Sequence, residues 1–190
     1  MIQLFKTKLT KRSTYFIGDL HLDHVNIIRY CQRPFANVHE MNKVLISKWR
    51  NTIQSRDTVY FLGDLAFGKN SRPSSYWLTK LTGNIHYIRG NHETEVKNSK
   101  EYETLEFGKH KFLIVHDPEN LPIQWDGWII HGHKHNNDIR NYPFINGDRK
   151  TINVCAELIN YKPISLDYLI SLNIDSIKRM DTIDTEPERR

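Results

Sequence analysis

The pattern of apolar and polar residues predicts short strands that alternate with helices along most of the chain. Each predicted strand is a brief run rich in apolar, β-branched or aromatic residues. We place six of them, at residues 14–17, 58–62, 85–88, 111–115, 128–130 and 151–154. Strands that alternate with helices favour a layered α/β or α+β sandwich.

Three helices are predicted from the spacing of apolar residues and from capping residues. The clearest begins after Asn37, a residue suited to cap a helix N-terminus, with Glu40 three positions later. A second helix is predicted at about 74–81, before Gly83, which suits the left-handed turn that ends helices. A third, with a weaker pattern, is predicted at 165–172.

The chain has the length of one domain. Its 190 residues are enough to bury a substantial core, and no repeat or linker divides them. The apolar periodicity is lost from Asn173 onward, and the chain finishes in a charged segment. We therefore expect a single domain over residues 1–172 and a flexible tail over residues 173–190.

Composition is that of a globular protein outside the membrane. Hydrophobic residues make up 38% and charged residues 26%, and no apolar run approaches the roughly 20 residues needed to cross a bilayer. Lysines and arginines occupy the N-terminus where an export signal would need an apolar segment. Cys31 and Cys155 are far apart and lack metal-binding spacing, which fits free thiols. We expect a cytoplasmic location.

The net charge gives weak support for an anionic substrate. The formal charge is +5, and the isoelectric point is about 9.1, so polyanions are attracted at low salt. The basic residues are scattered, with only short clusters at 6–12 and 178–179. This dispersal argues against a dedicated nucleic-acid surface.

Polar residues able to bind metals follow five of the six predicted strands. They are Asp19 and His21, then Asp64, then Asn91 and His92, then His116, and finally His133 and His135. Ligands of open sheets bind outside the carboxyl ends of the strands, so these side chains are expected to converge. Glycines before several of them allow tight turns over the strand ends.

The residue types indicate a site for hydrolysis. Carboxylate and amide oxygens together with imidazoles, and without thiolates, suit Mn, Fe, Ni or Zn in a mixed oxygen and nitrogen shell. A bridging carboxylate can hold two cations about 3.5 to 4 Å apart, a separation that suits in-line displacement at phosphorus. The sequence therefore predicts hydrolysis of a phosphate ester.

These blocks, in this order and spacing, resemble the five-block signature of the calcineurin-like metallophosphoesterases over residues 15–135. Further segments at 26–28, 33–35, 152–155 and 161–165 are similar to the short single-domain bacterial and phage members of that superfamily. One departure from many relatives is the stretch Leu65-Ala66-Phe67-Gly68, where they carry a second acidic residue or an arginine. It argues against a protein phosphatase.

The resemblance implies a four-layer α/β/β/α sandwich with two divalent ions, Mn first and Fe, Ni, Zn or Mg as alternatives. The ligands would be Asp19, His21 and His135 for one ion, Asn91, His116 and His133 for the other, and Asp64 bridging both. A metal-bound hydroxide would attack in line. His92 would stand outside the ligand shell and protonate the leaving oxygen.

Some assignments keep alternatives. His110 competes with His116 for the fourth block, because Asp117 follows His116 where relatives usually have glycine. His131 is expected to be a structural neighbour of the ligands. His24 and Arg33, together with Asn91, are candidates for contact with the substrate phosphate.

The substrate class also stays open. We expect a phosphodiester or a nucleotide-type substrate, because no cap insertion is visible. A nuclease acting on DNA or RNA is the alternative within the enzymes. The alternative from another class is a binding scaffold, since a retromer subunit resembles this superfamily and acts as an interaction module. Oligomeric state cannot be predicted from these patterns.

Overall fold

A computed structural model describes residues 12–93 and 96–183. The described residues form ten strands, which are β1 (Thr14–Ile17), β2 (Thr58–Phe61), β3 (Asn84–Tyr87), β4 (Tyr102–Phe107), β5 (His110–Val115), β6 (Trp128–His131), β7 (Ile145–Asn146), β8 (Thr151–Asn153), β9 (Ile164–Ser165) and β10 (Arg179–Met180). They also form four α-helices, which are α1 (Val25–Tyr30), α2 (Val38–Thr52), α3 (Ser74–Leu78) and α4 (Leu166–Ser171). None of the described helices is long and apolar enough to cross a bilayer.

The strands form two sheets. The first has the order β3-β2-β1-β9, in which β1, β2 and β3 are parallel and β9 is antiparallel to β1. The second has the order β10-β7-β8-β6-β5-β4, with β5, β6 and β8 parallel. Parallel strands end at the same edge of their sheet, so the residues after β1, β2 and β3 share one edge, as do those after β5 and β6.

One hydrophobic core unites the two sheets and the helices. It includes Phe16 and Phe61 from the first sheet, Phe112 and Ile130 from the second, and Trp49 from α2. The Trp49 and Phe61 rings lie 6.2 Å apart, so α2 packs on the first sheet. The predicted fold class, an α/β sandwich built on two sheets, is confirmed.

All six predicted strands are present within one residue of their predicted bounds. Helix α2 begins as predicted, because the Asn37 side chain accepts a hydrogen bond from the Glu40 amide at 2.9 Å. Helix α3 ends at Leu78, before the predicted end at 81. The pattern missed α1, which has only six residues, and the edge strand β4, in which no residue is fully buried.

The tail predicted from residue 173 does not begin there. Ile174 is fully buried in a 3₁₀ turn, and β10 pairs with β7. Ile183 is also buried, and its amide donates to the Leu158 carbonyl at 3.0 Å. Ile177 and Met180 also pack against the core, so apolar residues at every third position from 174 to 183 anchor this segment. The rest of the predicted tail, residues 184–190, lies outside the described residues.

Candidate metal centre

The carboxyl ends of β1, β2, β3, β5 and β6 bring the predicted ligands to one place. Asp19, His21 and His135 form a group in which one ligand atom from each lies within 4.8 Å of the others. Asp19, Asp64 and His116 form a second such group. Residues from both sheets, separated by up to 116 positions in the sequence, thus meet at a shared edge.

Each of the two aspartates is held by one carboxylate oxygen and presents the other to the centre. Asp19 Oδ2 accepts from the His133 amide at 3.0 Å and from the Cys155 thiol at 3.3 Å. Asp64 Oδ1 accepts from the His92 amide at 3.1 Å. The second oxygen of each aspartate is therefore oriented by the fold and directed toward imidazoles.

The free oxygens face histidine nitrogens at distances beyond hydrogen bonding. Asp64 Oδ2 lies 3.6 Å from His21 Nε2 and 3.7 Å from His116 Nε2, and Asp19 Oδ1 lies 3.7 Å from His135 Nε2. Such separations are too long for good hydrogen bonds. They are close to the roughly 3 to 3.6 Å between two ligand atoms that each lie about 2.0–2.2 Å from one ion.

Asn91 extends the second group toward β6. Its side-chain oxygen lies 2.9 Å from His116 Nε2 and 2.9 Å from His133 Nδ1. The opposite nitrogen of His116, Nδ1, lies 2.6 Å from the Leu62 carbonyl, so it carries the proton. The lone pair of His116 Nε2 therefore faces two oxygen acceptors, an arrangement that a cation would satisfy.

Buried polar atoms without partners support the same fit. Asp19 Oδ1 and both ring nitrogens of His21 are buried and have no hydrogen-bond partner. Nearly all buried polar groups in proteins are paired, so a cluster of unpaired ones requires an explanation. A divalent ion would provide that explanation, because these oxygen and nitrogen atoms are suitable ligands for it.

The electrostatics of the centre favour cations. Burial and the neighbouring Asp19 carboxylate raise the pKa of Asp64 to about 7. Burial, with His135 nearby, lowers the pKa of His21 well below its ordinary value. Despite burial, the Glu157 carboxylate raises the pKa of His135 well above its ordinary value. Divalent ions bound among these residues would supply positive charge to the two buried carboxylates.

Unusual backbone conformations direct the ligands. Five of the seven predicted ligands have left-handed φ angles, namely Asp19 (59°), His21 (50°), Asp64 (55°), His133 (68°) and His135 (48°). A non-glycine residue in this region costs on the order of 1–3 kcal/mol and persists where the surrounding structure enforces it. Such strain concentrates at functional sites.

Two glycines make room for the aspartates. A Cβ atom at Gly90 would collide with the Asp64 carboxylate, and one at Gly132 would collide with the Asp19 carboxylate. The absence of a side chain thus lets the backbone at Gly90 approach Asp64 and the backbone at Gly132 approach Asp19.

Glu157, which the sequence patterns did not mark, supports the ligand His135. Its Oε1 atom lies 3.1 Å from His135 Nδ1. A carboxylate only accepts, so Nδ1 carries the proton and Nε2 is left free on the side of Asp19. The Arg33 guanidinium lies 2.6 Å from the same Glu157 carboxylate and lowers the pKa of Glu157 below its ordinary value.

The prediction that Arg33 contacts substrate is wrong. Its side chain is 0% exposed, and it donates to the backbone carbonyls of Asp19 and Leu20 at 2.7 Å each. Arg33 therefore connects the backbone at Asp19 to Glu157 and, through Glu157, to His135. Burial beneath the centre, which the sequence does not reveal, places this cation out of reach of a phosphate.

A second carboxylate lies near His133. Asp117 Oδ2 is 3.9 Å from His133 Nε2, and Lys134 Nζ is 3.5 Å from Asp117 Oδ1. Asp117, which stands where relatives usually have glycine, thus lies beside His133. Both His133 and His135 have a carboxylate on the side opposite the centre.

The remaining candidates occupy distinct positions. His110 bonds Asp175 at 3.1 Å, away from Asn91 and Asp64, whereas His116 lies beside both. His131 is fully buried, and burial lowers its pKa to about 4.

His92 and His24 stand at the border of the centre. The exposed His92 ring has its centroid 5.8 Å from that of His21, and the His24 ring lies 5.4 Å from His21. Both rings also line a cleft beside the centre.

The calcineurin-like phosphoesterase family, Metallophos, matches residues 13–186. The chain belongs to the calcineurin-like phosphoesterase family. Membership supports metal-dependent hydrolysis of phosphate esters as the general activity, and the ligand-like clusters described above agree with divalent metal binding.

Relatives of this calcineurin-like phosphoesterase include an archaeal and a phage protein. It is 48% identical over 166 residues to the uncharacterized protein MJ1445 of Methanocaldococcus jannaschii, covering 86% of this chain and 93% of that protein. It is 31% identical over 162 residues to the Gene 66 protein of Mycobacterium phage L5, covering 65% and 77%. A solved structure of a protein of unknown function, AQ665 from Aquifex aeolicus, shares the fold with a TM-score of 0.63 and 24% identity, covering 85% and 100%.

Glu157→Gln is expected to weaken metal binding by this phosphoesterase about 10- to 100-fold, the usual effect of removing a carboxylate behind a histidine ligand. Gln leaves the charge of the buried Arg33 without its carboxylate partner. The double variant Glu157→Gln/Arg33→Met, which removes both charges, is therefore measured beside the single variant. Metal affinity measured by titration with Mn²⁺ is the readout. Glu103→Gln is the matched control, since Glu103 bonds His86 in the same way at 3.1 Å outside the centre. Unchanged affinity in the folded variants would refute the role of Glu157.

Proposed function

We propose that this phosphoesterase hydrolyses a phosphodiester or nucleotide-type ester at a centre of two divalent ions. The proposed ligands are Asp19, His21 and His135 for one ion, Asn91, His116 and His133 for the other, and Asp64 for both. The observation that carries the proposal is the position of Asp64 Oδ2, 3.6 Å from His21 and 3.7 Å from His116. One carboxylate oxygen thus lies close to one histidine from each proposed set of ligands, which supports a bridging role for Asp64.

The donor set supports Mn²⁺ as the first candidate, with Fe, Ni, Zn and Mg as alternatives. Ions bound there would neutralise phosphate charge and lower the pKa of a coordinated water to about 7. The chain's own residues orient the centre. The Leu62 carbonyl aligns His116 and Glu157 aligns His135, so each histidine would offer its Nε2 atom to an ion.

His92 is the proposed proton donor to the leaving oxygen. Its amide is tied to Asp64, which keeps the ring beside the centre, while its side chain faces solvent and the cleft. Burial and His116 lower the pKa of His92 from its ordinary value. A bound phosphate brings negative charge and favours the protonated imidazole, opposing that shift.

Two alternatives are less well supported. A nuclease would need many phosphate contacts, whereas the lysines and arginines are scattered along the sequence. A non-catalytic scaffold would not need buried, unpaired ligand atoms, which are present at Asp19 and His21.

Cys31 and Cys155 are both buried free thiols, which supports our proposal of a reducing, cytoplasmic location.

The proposal is tested by metal content and activity together. Protein prepared without chelator and saturated with Mn²⁺ is expected to retain close to two ions per chain by elemental analysis. The same preparation is then screened against monoesters and diesters with Mn²⁺, Mg²⁺, Ni²⁺ and Zn²⁺. A folded protein that binds no metal and cleaves no ester would contradict the proposed function and favour the scaffold.

A further inference from the structure

A cleft of about 510 Å³ opens beside the proposed proton donor. Its walls include His92, His24, Phe67, Lys69 and Arg72. The volume falls in the range of small-molecule sites, about 300–1,000 Å³. Because His92 belongs both to the border of the metal centre and to this cleft, a group attached to the leaving oxygen would extend into it.

Phe67 is the aromatic surface of this cleft. Its ring is 4.3 Å from the His92 ring at 40° and 4.9 Å from the His24 ring at 82°. Although it packs against two imidazoles, Phe67 is 36% exposed. A large apolar side chain that stays exposed next to a reactive centre is available to a ligand.

The backbone holds Phe67 in place. Its amide donates to the Leu22 carbonyl at 3.2 Å, and Ala66 forms a β-bridge with Leu22. The stretch that follows Asp64 is thereby fastened to the stretch that follows His21. An aromatic ring on a fixed backbone loses little conformational entropy when a ligand stacks on it.

We propose that Phe67 stacks on the nucleobase of a nucleoside leaving group, so that the substrate is a nucleotide ester. This inference rests on the proposed function, since it uses the phosphate position and the role of His92. The charges of the cleft fit such a ligand. Arg72 is already neutralised by Asp23 at 2.8 Å, whereas Lys69 is exposed and available to a phosphate or a sugar hydroxyl.

The test compares two esters that share the same leaving alkoxide and differ only in the base. They are adenosine 5′-monophosphate and ribose 5-phosphate. If the protein cleaves only diesters, the methyl diesters of both are used, and the release of adenosine or ribose with methyl phosphate is measured. The wild type is expected to favour the nucleotide in kcat/KM by about 5- to 150-fold, the usual range for stacking of one base. Phe67→Ala is expected to reduce this ratio to near one.

The ratio of kcat/KM for the nucleotide to kcat/KM for the sugar phosphate separates base stacking from indirect effects. Loss of Phe67 also removes packing against His92, but that change affects both esters and cancels in the ratio. Phe67→Leu keeps apolar bulk without an aromatic face and should lose most of the preference. Phe107→Ala, at a phenylalanine that is 40% exposed on β4, is the matched control and should keep it.

Each outcome decides the inference. A wild-type ratio near one, or a preference that survives in Phe67→Ala, would overturn base stacking while leaving phosphoester hydrolysis intact. Absence of turnover on every ester with every metal would overturn the proposed function and, with it, the inference. A preference lost in both Phe67 variants and kept in Phe107→Ala would establish it.

Discussion

An Asp64→Asn variant is expected to lose ester hydrolysis by at least about 10³-fold while it keeps its fold. The substitution preserves side-chain volume but removes the charge that the two proposed ions share. Loss of a bridging carboxylate should cost on the order of 4 kcal/mol of transition-state stabilisation. The metal-free protein should not be destabilised, because Asn removes a carboxylate that Asp19 repels. Steady-state kinetics with saturating Mn²⁺ and a melting curve of the metal-free protein are the measurements.

Asp126→Asn provides the matched control. It makes the same chemical change at a side chain that is 99% exposed, so activity and metal content should equal those of the wild type. Near-wild-type turnover in Asp64→Asn would show that the centre has been misassigned. A drop of similar size in the control would point to a general effect of charge.

Replacing His92 with Asn is expected to slow the hydrolysis of alkyl or nucleoside esters by about 10²- to 10⁴-fold, the usual contribution of general acid catalysis. Nitrophenyl esters should lose much less, because nitrophenolate is stable enough to leave without a proton. Metal content should be unchanged, since the ring of His92 is exposed and only its amide contacts Asp64. The measurement is kcat/KM for both ester types together with elemental analysis.

The comparison between ester types distinguishes proton donation from positioning. Equal losses on alkyl and nitrophenyl esters, with both ions retained, would mean that His92 orients the phosphate or the centre. Loss of metal would place His92 among the ligands. Either result would require a different proton donor for the leaving oxygen.

Local patterns predicted much of the fold and the candidate ligands. Strands β1 and β2 are short buried runs whose apolar content is visible without any partner, and the Asn37 cap acts within its own helix turn. Because β1, β2 and β3 are parallel, residues that follow them meet at one edge of the sheet. The proximity of Asp19 and Asp64 was therefore predictable.

The role of Arg33 was not predictable in this way. Its partner Glu157 lies 124 positions away, and nothing in either neighbourhood indicates that both side chains are buried. From sequence alone, an arginine near a predicted phosphate site is a candidate for substrate contact. Packing assigns it instead to a buried ion pair beneath His135.

The sequence by itself determined the positions of six strands along the chain, the residues at their ends and the type of metal ligand they offer. Only the tertiary structure decided which oxygen of Asp64 faces His21 and His116, which residues support the ligands, and that Ile174 and β10 belong to the core. The physical reason is the distance along the sequence over which each kind of interaction acts. Helix and strand periods record interactions within a few residues, whereas burial, ligand geometry and tautomer depend on contacts made after distant segments pack.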